Sequence, residues 1–112
     1  MRDFKKLIVW QKAILLARKV YFFTEKLPDD EKFGLKSQVR RCVVSIPSNI
    51  SEGAKRSTDK DFRNFINITS GSAAELETQL LLIKDIYKLY DEEVNLLLLE
   101  IQKMLESLIK KL

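Results

Sequence analysis

Gln38-Val-Arg-Arg-Cys-Val-Val-Ser-Ile-Pro-Ser-Asn-Ile-Ser-Glu-Gly53 decides the fold, because it reads as one helix carrying two dissimilar stripes side by side. At about 100° per residue, Gln38, Arg41, Ser45, Asn49 and Glu52 fall within an arc of roughly 80°. Leu35, Val39, Cys42, Val43, Ile46 and Ile50 form the adjoining apolar arc, so the polar seam runs along the border of the core instead of opposite it. Solvent alone does not require that placement. Another helix, another subunit or a ligand has to face the seam, and the residues leave all three open.

Two residues in and just before this segment oppose helix formation. Gly34 is costly in a helix interior, and Pro47 costs roughly 3 kcal/mol there, so the proline is expected to kink the helix. The kink would deprive the Val43 carbonyl of its usual donor, leaving Ser48 or a group on another helix to satisfy it. Gly53 has two readings: its missing side chain lets another backbone approach, or it marks the fraying end of the helix.

Outward from here the helical period continues on both sides. Leu7, Trp10, Ile14, Ala17 and Tyr21 recur at three- and four-residue steps, with Ile8, Leu15 and Phe22 widening the stripe, and predict a first helix to about Lys26. Leu27-Pro28-Asp29-Asp30 closes it and caps a second helix over about residues 31 to 54. Thr58-Asp59-Lys60-Asp61 has capping-box spacing and opens a third helix, Asp59 to Tyr87, with Phe62, Phe65, Ile66, Thr69, Ala73, Leu76, Leu80 and Ile83 inward. Tyr90-Asp91-Glu92-Glu93 starts a fourth, carried by Val94, Leu97, Ile101, Leu105, Leu108 and Leu112. Short loops between amphipathic helices predict an all-α, up-and-down antiparallel four-helix bundle with a proline-containing second helix, one domain over residues 1–112. A three-helix bundle with one long bent helix is the alternative. Leu96-Leu97-Leu98-Leu99 puts apolar side chains all round the fourth helix, more than one core covers, and so predicts self-association.

The chemistry is bounded mainly by what is missing. There is no histidine, which removes the commonest general acid-base group and metal ligand, and we expect no enzyme, no metal and no cofactor. Cys42 is the only cysteine and lies among Val39, Val43 and Ile46, so it reads as a small core residue, with no disulfide and a cytoplasmic setting expected. No run approaches the length of a membrane span, and the N-terminus lacks the pattern of a signal peptide. Ser72, Glu75 and Gln79 give the third helix its own polar stripe; if the two stripes meet, Arg41 would pair with Glu75 and hold the helices in register. Gly71 reads as a close helix crossing.

Lys plus Arg number 20 against 16 Asp plus Glu, and in the first 26 residues seven cations face only Asp3 and Glu25. Such a helix is either a solvated face or a polyanion contact; for the second, Lys12, Arg18, Lys19, Arg40, Lys55, Arg56 and Arg63 are the candidates.

The order Leu7-Ile-Val-Trp-Gln-Lys-Ala13, Leu27-Pro28, Glu31, Gly34-Leu35, Gln38-x-Arg-Arg41, Ser45-Ile-Pro-Ser-Asn49, Glu52-Gly53, Gly71-Ser72 and Glu75-Leu-Glu77 resembles the four-helix-bundle proteins encoded by intervening sequences within bacterial 23S rRNA genes. The resemblance covers nearly the whole chain, departing at Cys42, Val43 and Ser51, where small alanines are expected. It implies a homopentamer with a positive surface, as in the related accessory variability determinant protein of diversity-generating retroelements, which binds nucleic acid and its reverse transcriptase. RNA or DNA, a second copy of the chain and a reverse transcriptase are the partners it suggests.

Overall fold

Local signals place the helix ends. In the computed structural model, which describes residues 2–112, a 3-10 turn at Phe4–Lys6 leads into α1 (Ile8–Thr24), a second at Asp29–Glu31 leads into α2 (Leu35–Ala54), and α3 (Asp59–Tyr87) and α4 (Glu92–Lys111) follow. The Thr58 hydroxyl accepts from the Asp61 N–H at 3.1 Å, and the Asp91 carboxylate accepts from the Val94 N–H at 3.0 Å, so both later helices start where their caps direct. α3 stops at Lys88, which adopts the left-handed conformation with φ 58°. At about 1.5 Å per residue its 29 residues span about 43 Å, the whole long axis of the 43 × 23 × 20 Å molecule.

α2 begins at Leu35, later than residue 31, because Glu31 stays outside as a cap. Its Oε1 accepts from the Leu35 N–H at 3.1 Å, and its Oε2 accepts from the Tyr87 hydroxyl at the end of α3. A Cβ on Gly34 would sit 2.5 Å from Glu31 Oε1, so glycine is what lets the carboxylate fold back.

Each helix packs against its neighbours in sequence and α4 closes against α1, giving an up-and-down antiparallel four-helix bundle with no strand among the described residues. Its core holds Val39, Val43, Ile46 and Ile50 from α2, Phe62, Ile66, Ala73, Leu76 and Ile83 from α3, and Val94, Leu98, Ile101 and Leu105 from α4. The α3 stripe is the expected one, with Phe65 at its half-buried edge. The α1 stripe is shifted: Val9, Ala13, Leu16, Val20 and Phe23 are buried, while Ile8, Leu15, Tyr21 and Phe22 face outward. α1 is apolar around most of its girth, so periodicity alone did not select its inner face; contact with α2 and α4 does.

Pro47 lies inside α2 and is buried. The carbonyls near it receive side chains from the seam: Ser45 Oγ donates to Cys42 O at 2.6 Å and Asn49 Nδ2 to Ser45 O at 2.8 Å. The Ser48 hydroxyl makes no hydrogen bond to Val43 O. Of the two readings of Gly53, close approach is the one realised, since a Cβ there would lie 2.5 Å from Phe65 Cβ and 3.1 Å from Phe62 Cδ1. Gly71 is a correction: it is exposed, a Cβ would meet nothing within 4 Å, and no helix of this chain crosses there.

Candidate functional site

The seam of α2 meets the polar stripe of α3. Gln38, Arg41, Cys42 and Ser45 from one helix and Ser72 and Glu75 from the other line a cleft of about 330 Å³. The link across it is made by the thiol: Cys42 Sγ donates to Ser72 O at 3.2 Å and contacts Glu75 Oε1 at 3.6 Å. Burial, then the charge of Glu75, pushes the Cys42 thiol up to about 12, so it stays protonated and inert as a nucleophile. The expected Arg41–Glu75 ion pair does not form. Arg41 is exposed and has neither an ion pair nor a hydrogen bond among the described residues. Ser45, Asn49 and Ser72 are half-buried, whereas Gln38, Glu52 and Glu75 reach solvent, and Glu52 pairs with Arg56 at 3.2 Å. Further along the same stripe Gln79 is 7% exposed, and its Oε1 has no hydrogen-bond partner among the described residues.

The nominated cations divide into two groups. Lys12 pairs with Glu100 at 2.5 Å and Lys19 with Glu93 at 2.8 Å, stitching α1 to α4, and the Glu93 hydrogen bond raises the Lys19 ammonium above its usual value. Exposed pairs of this kind contribute at most about 1 kcal/mol each. Arg40 turns back onto α1: its Nε donates to Thr24 Oγ1 at 2.9 Å, its Nη2 to Tyr21 O at 3.0 Å and Glu25 Oε1 at 2.6 Å, and it stacks on the Tyr21 ring at 4.5 Å. That guanidinium clamps α2 to the C-terminal end of α1, where positive charge is favourable, and holds the Glu25 carboxyl below the usual range. Arg18, Lys55 and Arg63 are exposed with no carboxylate in ion-pair range among the described residues; Lys55 rests over the Phe4 ring at 5.9 Å.

The four-helix bundle with the Gln38–Gly53 seam set against α3 is matched by a family model described as 23S rRNA-intervening sequence protein, over residues 5–110. The chain belongs to the 23S rRNA-intervening sequence protein family. A similar solved structure is a crystal structure from Bacteroides thetaiotaomicron VPI-5482, described as a protein with unknown function from the S23 ribosomal protein family. It shares 29% identity over 92% of this chain and 99% of that one, with a TM-score of 0.81. Among curated proteins, none matches this sequence.

In this 23S rRNA-intervening sequence protein, a further meeting of cations and aromatic rings adds Lys32, Phe33 and Lys36, none of them nominated from the sequence, to Arg40 and Arg41. Lys32, Phe33, Lys36, Ser37 and Arg41, with Tyr21 of α1, line a cleft of about 480 Å³ at the α1–α2 corner. Phe33 is 89% exposed and Lys32 Nζ lies 5.5 Å from its ring. The four-residue spacing of Lys32, Lys36 and Arg40 was the sequence signal for this cluster. The apolar Phe33 hid it, because an aromatic residue before a helix reads as a core contact.

Proposed function

We propose that this 23S rRNA-intervening sequence protein is a non-enzymatic, self-associating scaffold that holds RNA or another nucleic acid through phosphate contacts. The observation that carries the reading is the set Arg18, Arg41, Lys55 and Arg63, whose charges face solvent with no carboxylate partner among the described residues, in a chain of net charge +4. The absence of histidine from the sequence and the raised Cys42 thiol support a role without catalysis.

Support for self-association comes from apolar surface that the bundle does not use. Ile8, Leu15 and Phe22 recur every seven residues on the outside of α1 and are 58%, 42% and 79% exposed, with Leu96 and Leu99 outward on α4. Five copies is the number that the family resemblance supports, and cytoplasmic residence agrees with a single buried cysteine. Among the described residues no helix is long and apolar enough to cross a membrane.

Titration of structured rRNA fragments at two salt concentrations tests the nucleic-acid reading. With about four phosphates engaged, affinity falls roughly 100-fold when salt is raised fourfold. No binding, or binding indifferent to salt, rejects it. Light scattering tests assembly: five copies of 13.1 kDa weigh about 66 kDa, and a particle of one chain's mass at micromolar concentration removes self-association. The exposed α1 stripe equally suits a second reading, a docking scaffold for another protein such as a reverse transcriptase. A partner retained in pull-downs after nuclease treatment favours that one.

A further inference from the structure

We propose that the α1–α2 corner is a stacking seat for one base of single-stranded nucleic acid, with Phe33 as the platform and Arg41 and Lys32 as the phosphate contacts. The proposal rests on the nucleic-acid reading above and gives it a place. Phe33 leaves nearly its whole ring in water at 89% exposed, at the mouth of a cleft of about 480 Å³. Covering an aromatic face removes apolar area from water, and every nucleobase offers a flat face for it. Tyr21 is the poorer platform: it is 42% exposed with Arg40 over its ring at 4.5 Å, whereas Phe33 has only Lys32 Nζ near one face, at 5.5 Å.

The charges around the ring favour a polyanion over an apolar partner. Lys32, Lys36, Arg40 and Arg41 line the cleft, and of these Lys32 and Arg41 have no carboxylate partner among the described residues. Glu25 engages Lys36 at 3.5 Å and Arg40 at 2.6 Å, and Asp29 is the acid on the lining, so Arg41 and Lys32, in no ion pair among the described residues, are the cations left to attract a phosphate. A base paired within a duplex has its faces occupied by its neighbours in the stack and cannot reach the ring; an unpaired one can. A continuous apolar rim would have pointed to a protein partner instead, and cations occupy that rim here.

The experiment measures binding of labelled oligo-uridine and oligo-thymidine to the full chain by fluorescence anisotropy, with a duplex of equal length in parallel. Phe33→Ala should weaken single-strand binding about tenfold. Phe33→Trp should retain affinity and show its added emission quenched when the strand binds. Arg41→Ala should lower the salt slope by about 0.7, the value for one phosphate on a single strand. Lys110→Ala, at the opposite end of the bundle, should match the wild type. Phe33 is exposed, so its replacements should keep the wild-type melting curve. Equal affinity for the duplex, unchanged binding by Phe33→Ala, or an unquenched Phe33→Trp signal with the strand bound overturns the seat while leaving phosphate binding elsewhere intact. A wild-type chain that binds neither polymer overturns both. The RNA and DNA arms identify which single strand is preferred.

Discussion

Replacing Gly53 by alanine tests how α2 and α3 are held together. In a helix interior alanine is normally favoured over glycine by about 0.5–1 kcal/mol. Here the new methyl carbon would lie 2.5 Å from Phe65 Cβ and 3.2 Å from Phe65 Cγ. Carbon atoms pack at about 3.5–4.0 Å, so the helices must separate by about 1 Å or Phe65 must move with its backbone. A Cβ atom has no rotamer with which to escape. Overpacking of this kind costs about 1–3 kcal/mol, which leaves a net loss of about 0–2.5 kcal/mol, about 1 kcal/mol at mid-range, after the helix preference is credited. Gly71→Ala is the matched control, also inside a helix, with nothing within 4 Å of the added carbon. It should gain about 0.5–1 kcal/mol. Thermal melts followed by circular dichroism should then place the two variants about 4–12 °C apart, with Gly53→Ala the lower, at about 4 °C per kcal/mol. A Gly53→Ala protein melting at or above the wild-type temperature would refute the close-approach argument.

Tyr87→Phe should flatten the pH dependence of stability on both flanks. The Tyr87 hydroxyl, then the Leu35 N–H, hold the Glu31 carboxyl below its usual value, so its contribution is present above the unfolded value and lost as pH falls through the folded one. Glu31 in turn pushes the Tyr87 phenol from 10.0 up to about 12, a contribution present below the unfolded value and lost as pH rises through that window. Urea midpoints across pH check this, and a variant with the wild-type profile means the bond is absent in solution. Gln79→Met removes a buried acceptor that has no partner and should raise stability by about 1 kcal/mol; a lower urea midpoint would mean that Oε1 is satisfied by water or by a second subunit. Cys42, buried and pushed up to about 12, should react with a disulfide reagent only as the chain opens, at a rate that climbs with urea, whereas immediate labelling in buffer would place the thiol in solvent.

Helix number, order and most boundaries were legible because their causes are local. The Thr58 and Asp91 caps bond to backbone three residues away, and the inner stripe of α3 follows from the spacing of its own side chains. The meeting of the α2 seam with Ser72 and Glu75 was likewise implied by two polar stripes with the same period. The bond that joins them was not. Arg41 and Glu75 had the right charges, yet it is the shorter Cys42 side chain that reaches Ser72 O and Glu75 Oε1, and the long reach of an arginine gives no information about direction. Arg40 shows the same limit: outward on its own helix, it bends back to the end of α1 because Tyr21 O, Thr24 and Glu25 are gathered there by the fold.

Periodicity and capping, which act within a turn or two of helix, therefore specified four rods and the greasy side of three of them from residue order alone. Which side of α1 turns inward, that Gly53 is pressed against Phe65 while Gly71 touches nothing, and that Phe33 stands in water among cations were decided by packing between helices distant in the chain. Those choices depend on which surfaces meet, and a surface with apolar residues on most sides carries no local mark of its partner.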